Sequence, residues 1–300
     1  MTFSPLVECV PNFSEGRDSA VLDALGDAIR GVPGVRLLDV HRDADHHRSV
    51  FTFVGAPDAV AEAAFAAVRC AVDRIDLRVH RGEHPRLGAA DVVPFVPIRD
   101  ATMDDCVRLA RVCGRRIGDA LGVPVYLYQA ASTRPERRDL ADVRKPRFEG
   151  LSACLASDPA WIPDFGPRVV HPSAGATIVG ARDVLIAFNV GLDTTDVEAA
   201  RSIARVLRER NGGLPGVKAL GLFVGGRAQV SMNLCDPGRT SMKEAYDAVV
   251  REAAARRIAV THSELVGLVP ERFFDSGWIS ALRMKGFRVT QILERVLGGA

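Results

Sequence analysis

The strand and helix signals of this chain run through one order twice, and such a repeat restricts the fold more than any single segment does. In the first pass Leu6 to Val10 is an extended apolar run, after which Val21, Leu22, Leu25, Ala28 and Ile29 recur at helical spacing and stop at Gly31. Val35 to His41 and Ser49 to Val54 are β-branched and aromatic runs joined by a polar loop. Asp58 to Asp73 is Ala-rich and helical by propensity, and Val92 to Ile98 closes the pass as a strand. Pro94 and Pro97 assign that strand to a sheet edge or a bend, because proline has no N–H for a ladder. In the second pass Val184 to Val190 is a strand, and Thr195 with Glu198 has capping-box spacing for a helix reaching about Gly212. Val217 to Val224 and Arg227 to Leu234 follow as strands, joined by the hairpin signal Gly225-Gly226. Ser241 with Glu244 caps a helix to about Ala255, and Ile258 returns the chain to strand.

Both passes read β-α-β-β-α-β, the order of the ferredoxin-like unit, whose sheet carries its helices on one face. The expected fold is therefore α/β (α+β), with two such subdomains, residues 1–180 and 181–300, each a mixed sheet. The first is the larger, since Thr102 to Leu121 adds a helix, with Thr102 and Asp105 as its capping box, and Val123 to Tyr128 adds a strand. Arg134 to Gly150 is rich in Arg, Asp and Pro without periodicity and is expected to be a surface excursion. Gly277 to Leu297 is a weakly periodic helical stretch.

Composition then removes whole classes of function. With 47% hydrophobic and 25% charged residues in a length of 300, wholesale disorder is excluded. Thirty-nine Lys and Arg against 37 Asp and Glu leave a formal charge of +2, too balanced for binding nucleic acid by phosphate neutralisation alone. A small anionic substrate needs only local basic residues. No stretch approaches the roughly 18 apolar residues of a membrane span, and MTFSPLVECVPNFSEGRD has neither a basic leader nor a long apolar run. The cysteines Cys9, Cys70, Cys106, Cys113, Cys154 and Cys235 are scattered singly, as expected for reduced thiols in the cytoplasm.

The densest polar motif is His80-Arg81-Gly82-Glu83-His84-Pro85-Arg86-Leu87-Gly88. A histidine there is a general acid/base candidate, because it titrates near neutrality and a carboxylate such as Glu83 can hold its tautomer. The alternative is a solvated turn. The His80 to His84 spacing also fits the inverted zincin pattern, but Gly82 and Pro85 disfavour the helix that pattern needs, and no metal is expected. Arg48 and Arg86 are candidates to clamp carboxylates through bidentate hydrogen bonds, against the commoner role of Arg as a solvated surface residue. His46-His47-Arg48, preceded by Asp43 and Asp45, could bind an anion or a metal or be an exposed loop, and the loop is preferred because adjacent residues on extended chain point to opposite faces and do not easily grip one ion together. Glu8 faces away from Val7 and Cys9, towards solvent or a cleft. Asp164 to Thr177 is irregular, with Pro and Gly fixing a backbone whose amides are available to a ligand or simply connect two domains. Gly175 to Arg182 has P-loop glycine spacing without its Lys and hydroxyl, so no nucleotide site is expected.

LVECVPNFSEG from Leu6, HRGEHPRLG from His80, WIPDFGP from Trp161, GATIVGAR from Gly175 and LVGLVP from Leu265 share an order and spacing. Together they resemble the glutamate formimidoyltransferase family over nearly the whole chain. The resemblance implies two α/β subdomains flanking a substrate groove, tetrahydrofolate as one-carbon acceptor, N-formimino-L-glutamate as donor, and a homodimer. It places the catalytic histidine at His84 and the folate-contacting stretch at Gly166, Pro167, Arg168, Val169, Val170, His171, Pro172, Ser173, Ala174 and Gly175. Relatives with two activities append a cyclodeaminase, and a chain ending at Ala300 is expected to be the stand-alone transferase, serving histidine breakdown and one-carbon metabolism.

The chemistry asks for one base that later acts as acid, as N5 of tetrahydrofolate attacks the formimino carbon and the glutamate amine leaves. Glu8, Asp39 and Glu83 are candidates to steady the cationic formimino group, and Arg48 and Arg86 to hold the carboxylates of the donor or of the folate tail. The nearest alternative within this chemistry is formiminoglycine as donor. The alternative class is a non-catalytic folate or amino-acid sensor, since paired ferredoxin-like units also serve that purpose.

Overall fold

The computed structural model describes residues 5–298. The chain divides into a unit ending at Arg182 and one beginning at Asp183, each with its own apolar core. In the first unit β1 (Leu6–Cys9) and β2 (Asn12–Phe13) are two parts of one interrupted strand. They are followed by α1 (Ser19–Arg30), β3 (Val35–Asp43), β4 (Arg48–Gly55), α2 (Pro57–Arg74) and β5 (Ala90–Arg99). β4 and β5 flank β1 and β2 antiparallel, and β3 lies outside β4, which is the ferredoxin-like strand order. The added helix α3 (Met103–Leu121) starts on the Thr102–Asp105 capping box, ends at Gly122, and leads to β6 (Val125–Gln129). β7 (Thr177–Ala181) then enters parallel between β5 and β6. Leu25, Ile29, Phe51, Phe53, Phe95 and Ile117 are fully buried in the core between this sheet and α1, α2 and α3.

Two expectations for this unit are corrected. β5 is a central strand and not an edge, although it carries Pro94 and Pro97. Pro94 lies opposite the Val10-Pro11 break between β1 and β2, where its carbonyl accepts from Val10 N–H at 3.2 Å. Pro97 lies beyond Phe95, the last β5 residue paired with β7, so neither proline removes a ladder bond. The Arg134 to Gly150 segment is also more than a surface excursion. It holds α4 (Leu140–Val143) and the start of α5 (Arg147–Ser157), and Val143 and Leu151 are buried with Tyr126, Ile178 and Leu87 on the sheet face away from α1 and α2.

The second unit runs β8 (Ile186–Leu192), α6 (Val197–Leu207), β9 (Val217–Val224), β10 (Arg227–Leu234), α7 (Met242–Ala254) and β11 (Val260–Val266). Its sheet order is β11-β8-β10-β9, again ferredoxin-like, with every pairing antiparallel. Gly225 and Gly226 have φ of 58° and 77° and close the β9–β10 hairpin as a two-residue turn, a backbone that glycine adopts without strain. Ser241 and Glu244 form their capping box. The cap of α6 is Asp196, whose carboxylate accepts from Glu198 N–H, and not Thr195, because an Asp one residue later reaches the same free donors. Beyond β11 the helical stretch breaks into α8 (Trp278–Ala281) and α9 (Leu293–Gly298). No helix among the described residues is long and apolar enough to cross a membrane.

Candidate active site

Three loops of the first unit meet at the HRGEHPRLG segment. It is not helical, and Gly82 lies so close to the β3–β4 turn that a Cβ there would sit 2.3 Å from the His46 carbonyl oxygen. That approach stacks the His80 ring on His47, with centroids 4.1 Å apart, and sets His84 edge-on to His46 at 5.9 Å. The pair expected to be an exposed loop is thus a tight turn, bent by Asp43, whose carboxylate accepts from the N–H groups of Asp45 and His46 at 2.8 Å. His47 takes φ of 50°, which frees both rings from the opposite-face rule of extended chain. The NFSEG turn closes the third side. Ser14 Oγ donates to Gly88 O at 2.7 Å, and Glu15 Oε1 meets His47 Nε2 at 3.0 Å. Burial opposes ionisation of Glu15, yet the Asp18 and Arg17 N–H groups and nearby His47 hold its carboxyl below the usual range.

Hydrogen bonds separate the roles of the two motif histidines. Buried His80 has both ring nitrogens occupied: Nε2 donates to His47 O at 2.8 Å, and Nδ1 accepts from Arg86 Nε at 3.0 Å. Burial pushes its pKa down to about 4, so it is neutral and structural. Half-buried His84 uses one nitrogen, Nδ1 donating to Pro85 O at 2.8 Å, which leaves the lone pair on Nε2. Burial first, and then the positive charges of Arg48 and Arg144, lower its pKa well below the ordinary 6.5.

Behind His84 lies a buried charge cluster. Asp91, at the start of β5, is fully buried. Its Oδ1 accepts from Leu87 N–H at 2.7 Å, and its Oδ2 holds Arg48 Nη1 at 2.8 Å and Arg144 Nη2 at 2.7 Å. Burial disfavours the charge on Asp91, but the two guanidiniums outweigh it and keep the carboxyl below its usual range. Arg48 also donates from Nε to Asn12 Oδ1 at 3.1 Å, and burial lowers its pKa to about 10, leaving it charged at neutrality.

The 166–175 stretch is joined to this loop by backbone hydrogen bonds. Ala89 N–H donates to Ala174 O at 2.9 Å, Ala176 N–H to Leu87 O at 3.2 Å and Leu77 N–H to Ser173 O at 2.8 Å. His171 and Gly175 exchange backbone hydrogen bonds at 3.0 and 3.1 Å, and His171 Nδ1 accepts from Ala174 N–H. Within this closed turn Ala174 and Gly175 are buried, His171 and Ser173 half-buried and Pro172 exposed. Before it, Gly166, Arg168 and Val169 are exposed, Pro167 is half-buried, and Val170 packs towards the Tyr126 cluster. Asp164 anchors the entry: its carboxylate accepts from Leu127 N–H at 2.8 Å, Arg137 Nη1 at 2.6 Å and the Thr133 hydroxyl.

The structure therefore brings together His84, Arg48 and the end of the 166–175 stretch, and assigns other sequence candidates elsewhere. Arg86 is committed, with Nε on His80 and its two Nη atoms on Glu149 at 3.0 and 2.8 Å, so it braces the loop and has no fork left for a substrate carboxylate. Glu83 is exposed, and the tautomer of His84 is set by the Pro85 carbonyl instead. Glu8 is buried on the sheet face away from the helices, roughly 13 Å along the interrupted strand from Asn12. Burial, opposed by Arg182, raises its pKa to about 7. Asp39 lies on β3 opposite Thr52, half-buried. Asp91, Arg144 and Glu149 escape sequence reasoning, and the one available hint is a carboxylate at the head of the apolar run Val92 to Val96. No group of three His, Cys, Asp or Glu among the described residues has the arrangement of a metal site.

A neutral imidazole with one open nitrogen, set beside fixed positive charge, equips a proton-transferring enzyme for an anionic substrate. Residues 6–182 match the family model for the formiminotransferase domain, N-terminal subdomain, and residues 187–281 match that for the formiminotransferase domain. The chain is 48% identical over 294 residues to a glutamate formimidoyltransferase of Thermoplasma acidophilum, covering 97% of this chain and 96% of that one. It is 46% identical over 297 residues to a glutamate formimidoyltransferase of Streptococcus pyogenes serotype M1, covering 98% and 99%. With the formimidoyltransferase-cyclodeaminase of Rattus norvegicus it shares 46% over 275 residues, 89% of this chain and 50% of that protein. The chain belongs to the formiminotransferase family.

Proposed function

We propose that this protein transfers the formimino group of N-formimino-L-glutamate to N5 of tetrahydrofolate, giving 5-formiminotetrahydrofolate and L-glutamate. The observation that carries this is 46–48% identity, over nearly the full length of both chains, with two proteins named glutamate formimidoyltransferase. His84 is the general base and acid. Its Nδ1–H is tied to Pro85 O, so Nε2 takes the N5 proton as the new N–C bond forms. It returns the proton to the glutamate nitrogen as the old C–N bond breaks. Residues 166–175 hold the folate, and the hydrogen bonds of Ala174 O to Ala89 N–H and of the adjoining Ala176 N–H to Leu87 O support this by fixing acceptor and base in one frame. Assembly as a homodimer belongs to the same reading and is checked by light scattering.

The test is incubation of the purified protein with tetrahydrofolate and formiminoglutamate, and separately formiminoglycine, following the formimino- and methenyl-folate absorbance. Turnover with formiminoglutamate is expected. Turnover with formiminoglycine alone would change the donor, and folate binding without turnover on either donor would make the protein a binding module.

A further inference from the structure

The charges behind His84 do not balance. One carboxylate, Asp91, faces two guanidiniums, Arg48 and Arg144, where the side chains are 0%, 8% and 12% exposed. The nearby carboxylate of Glu149 is already spent on Arg86. A net positive charge held out of water is costly unless an anion meets it. The two arginines also differ in what they have left to offer. Arg48 uses Nη1 on Asp91 and Nε on Asn12. Arg144 forms one side-chain ion pair among the described residues, Nη2 to Asp91, and its buried Nε has no hydrogen-bond acceptor there. Its guanidinium therefore keeps donors for a ligand in a geometry that Asp91 fixes in advance.

We propose that Arg144, with Arg48 on the shared carboxylate of Asp91, receives the α-carboxylate of the formimino donor and so sets the formimino carbon against His84. This rests on the formimino-transfer reading. In an N-formimino amino acid the α-carboxylate and the formimino nitrogen are bonded to the same carbon, so the anion nearest the reacting group belongs near the imidazole. The side-chain carboxylate of glutamate extends away from that point and is held elsewhere. One consequence is that this contact serves glutamate and glycine donors alike and does not choose between them.

The test uses two unreactive formamides, N-formyl-L-glutamate and N-formyl-4-aminobutyrate. The second keeps the distal carboxylate and lacks the α one. Calorimetry on the wild type is expected to favour N-formylglutamate by about 10- to 100-fold. Arg144→Gln should remove most of that preference, and Arg144→Lys should restore part of it, since a point charge replaces a fork. Tetrahydrofolate affinity should not change. Arg48 still balances Asp91 in Arg144→Gln, so no buried charge is orphaned, and an unchanged melting temperature checks the fold. An Arg144→Gln protein that keeps the preference, a wild type without one, or a variant weakened equally towards both formamides and folate would each overturn the inference. If the wild type shows the Arg144-dependent preference but turns over neither formimino donor, the carboxylate site stands and the transferase reading falls. Turnover with an unchanged KM in Arg144→Gln would sink the carboxylate site and leave the transferase intact.

Discussion

His84 is kept unprotonated by its surroundings, with burial first and the Arg48 and Arg144 charges next. A base whose pKa lies below 6.5 loses its lone pair only at lower pH. The acid limb of kcat/KM is therefore expected below pH 6.5, with a plateau through neutrality, in a profile measured at constant ionic strength. A limb at or above pH 6.5 would mean that another group is being titrated. In the sequence the density of charge in GEHPR suited either a histidine base or a solvated turn, and His84 was singled out by the family resemblance. Arg144 and Asp91 were not, because their meaning lies in each other and in Arg48, and spacing along the chain carries no trace of a contact between distant segments. Arg86 misled for the same reason: a guanidinium in a motif looks available until its partners, His80 and Glu149, are known.

The elements of the repeat were readable from periodicity and caps, and the departures have local causes. Proline in β5 is tolerated because the neighbouring strand is broken opposite it, and only the pairing reveals that break. After Arg134, α4 has 4 residues, too few for a 3.6-residue period to register, and α5 begins only at Arg147, near the end of the stretch. These helices nevertheless cover a buried cluster and deliver Arg144. At this scale Asp164 is the latch between β6, the Arg137 turn and the 166–175 stretch. Asp164→Asn breaks an ion pair whose side chains are 5% and 8% exposed, and should cost about 3 kcal/mol in denaturant unfolding. Folate binding should weaken with it, because the entry to the stretch is released. A variant with unchanged stability would show that Arg137 finds its partners without this carboxylate.

Across the molecule, two units with separate cores share one topology, and that repeat was visible from the order of signals alone. The acid response of the whole is expected to come in part from His80. Its folded pKa is about 4 against an ordinary 6.5, so the unfolded chain takes up the proton first as pH falls. The stability this provides is complete above pH 6.5 and is lost between pH 6.5 and about 4. Relative to His80→Gln, the wild type should lose about 2 kcal/mol across that window, read from unfolding curves at several pH values. Parallel curves for the two proteins would remove His80 from the account. The central claim, that His84 moves the proton in formimino transfer, is tested most directly by steady-state turnover of His84→Ala with tetrahydrofolate and formiminoglutamate, beside calorimetric folate binding. The account predicts a loss in kcat of at least about 100-fold with folate affinity retained; turnover near the wild-type rate, or loss of both together, would contradict it.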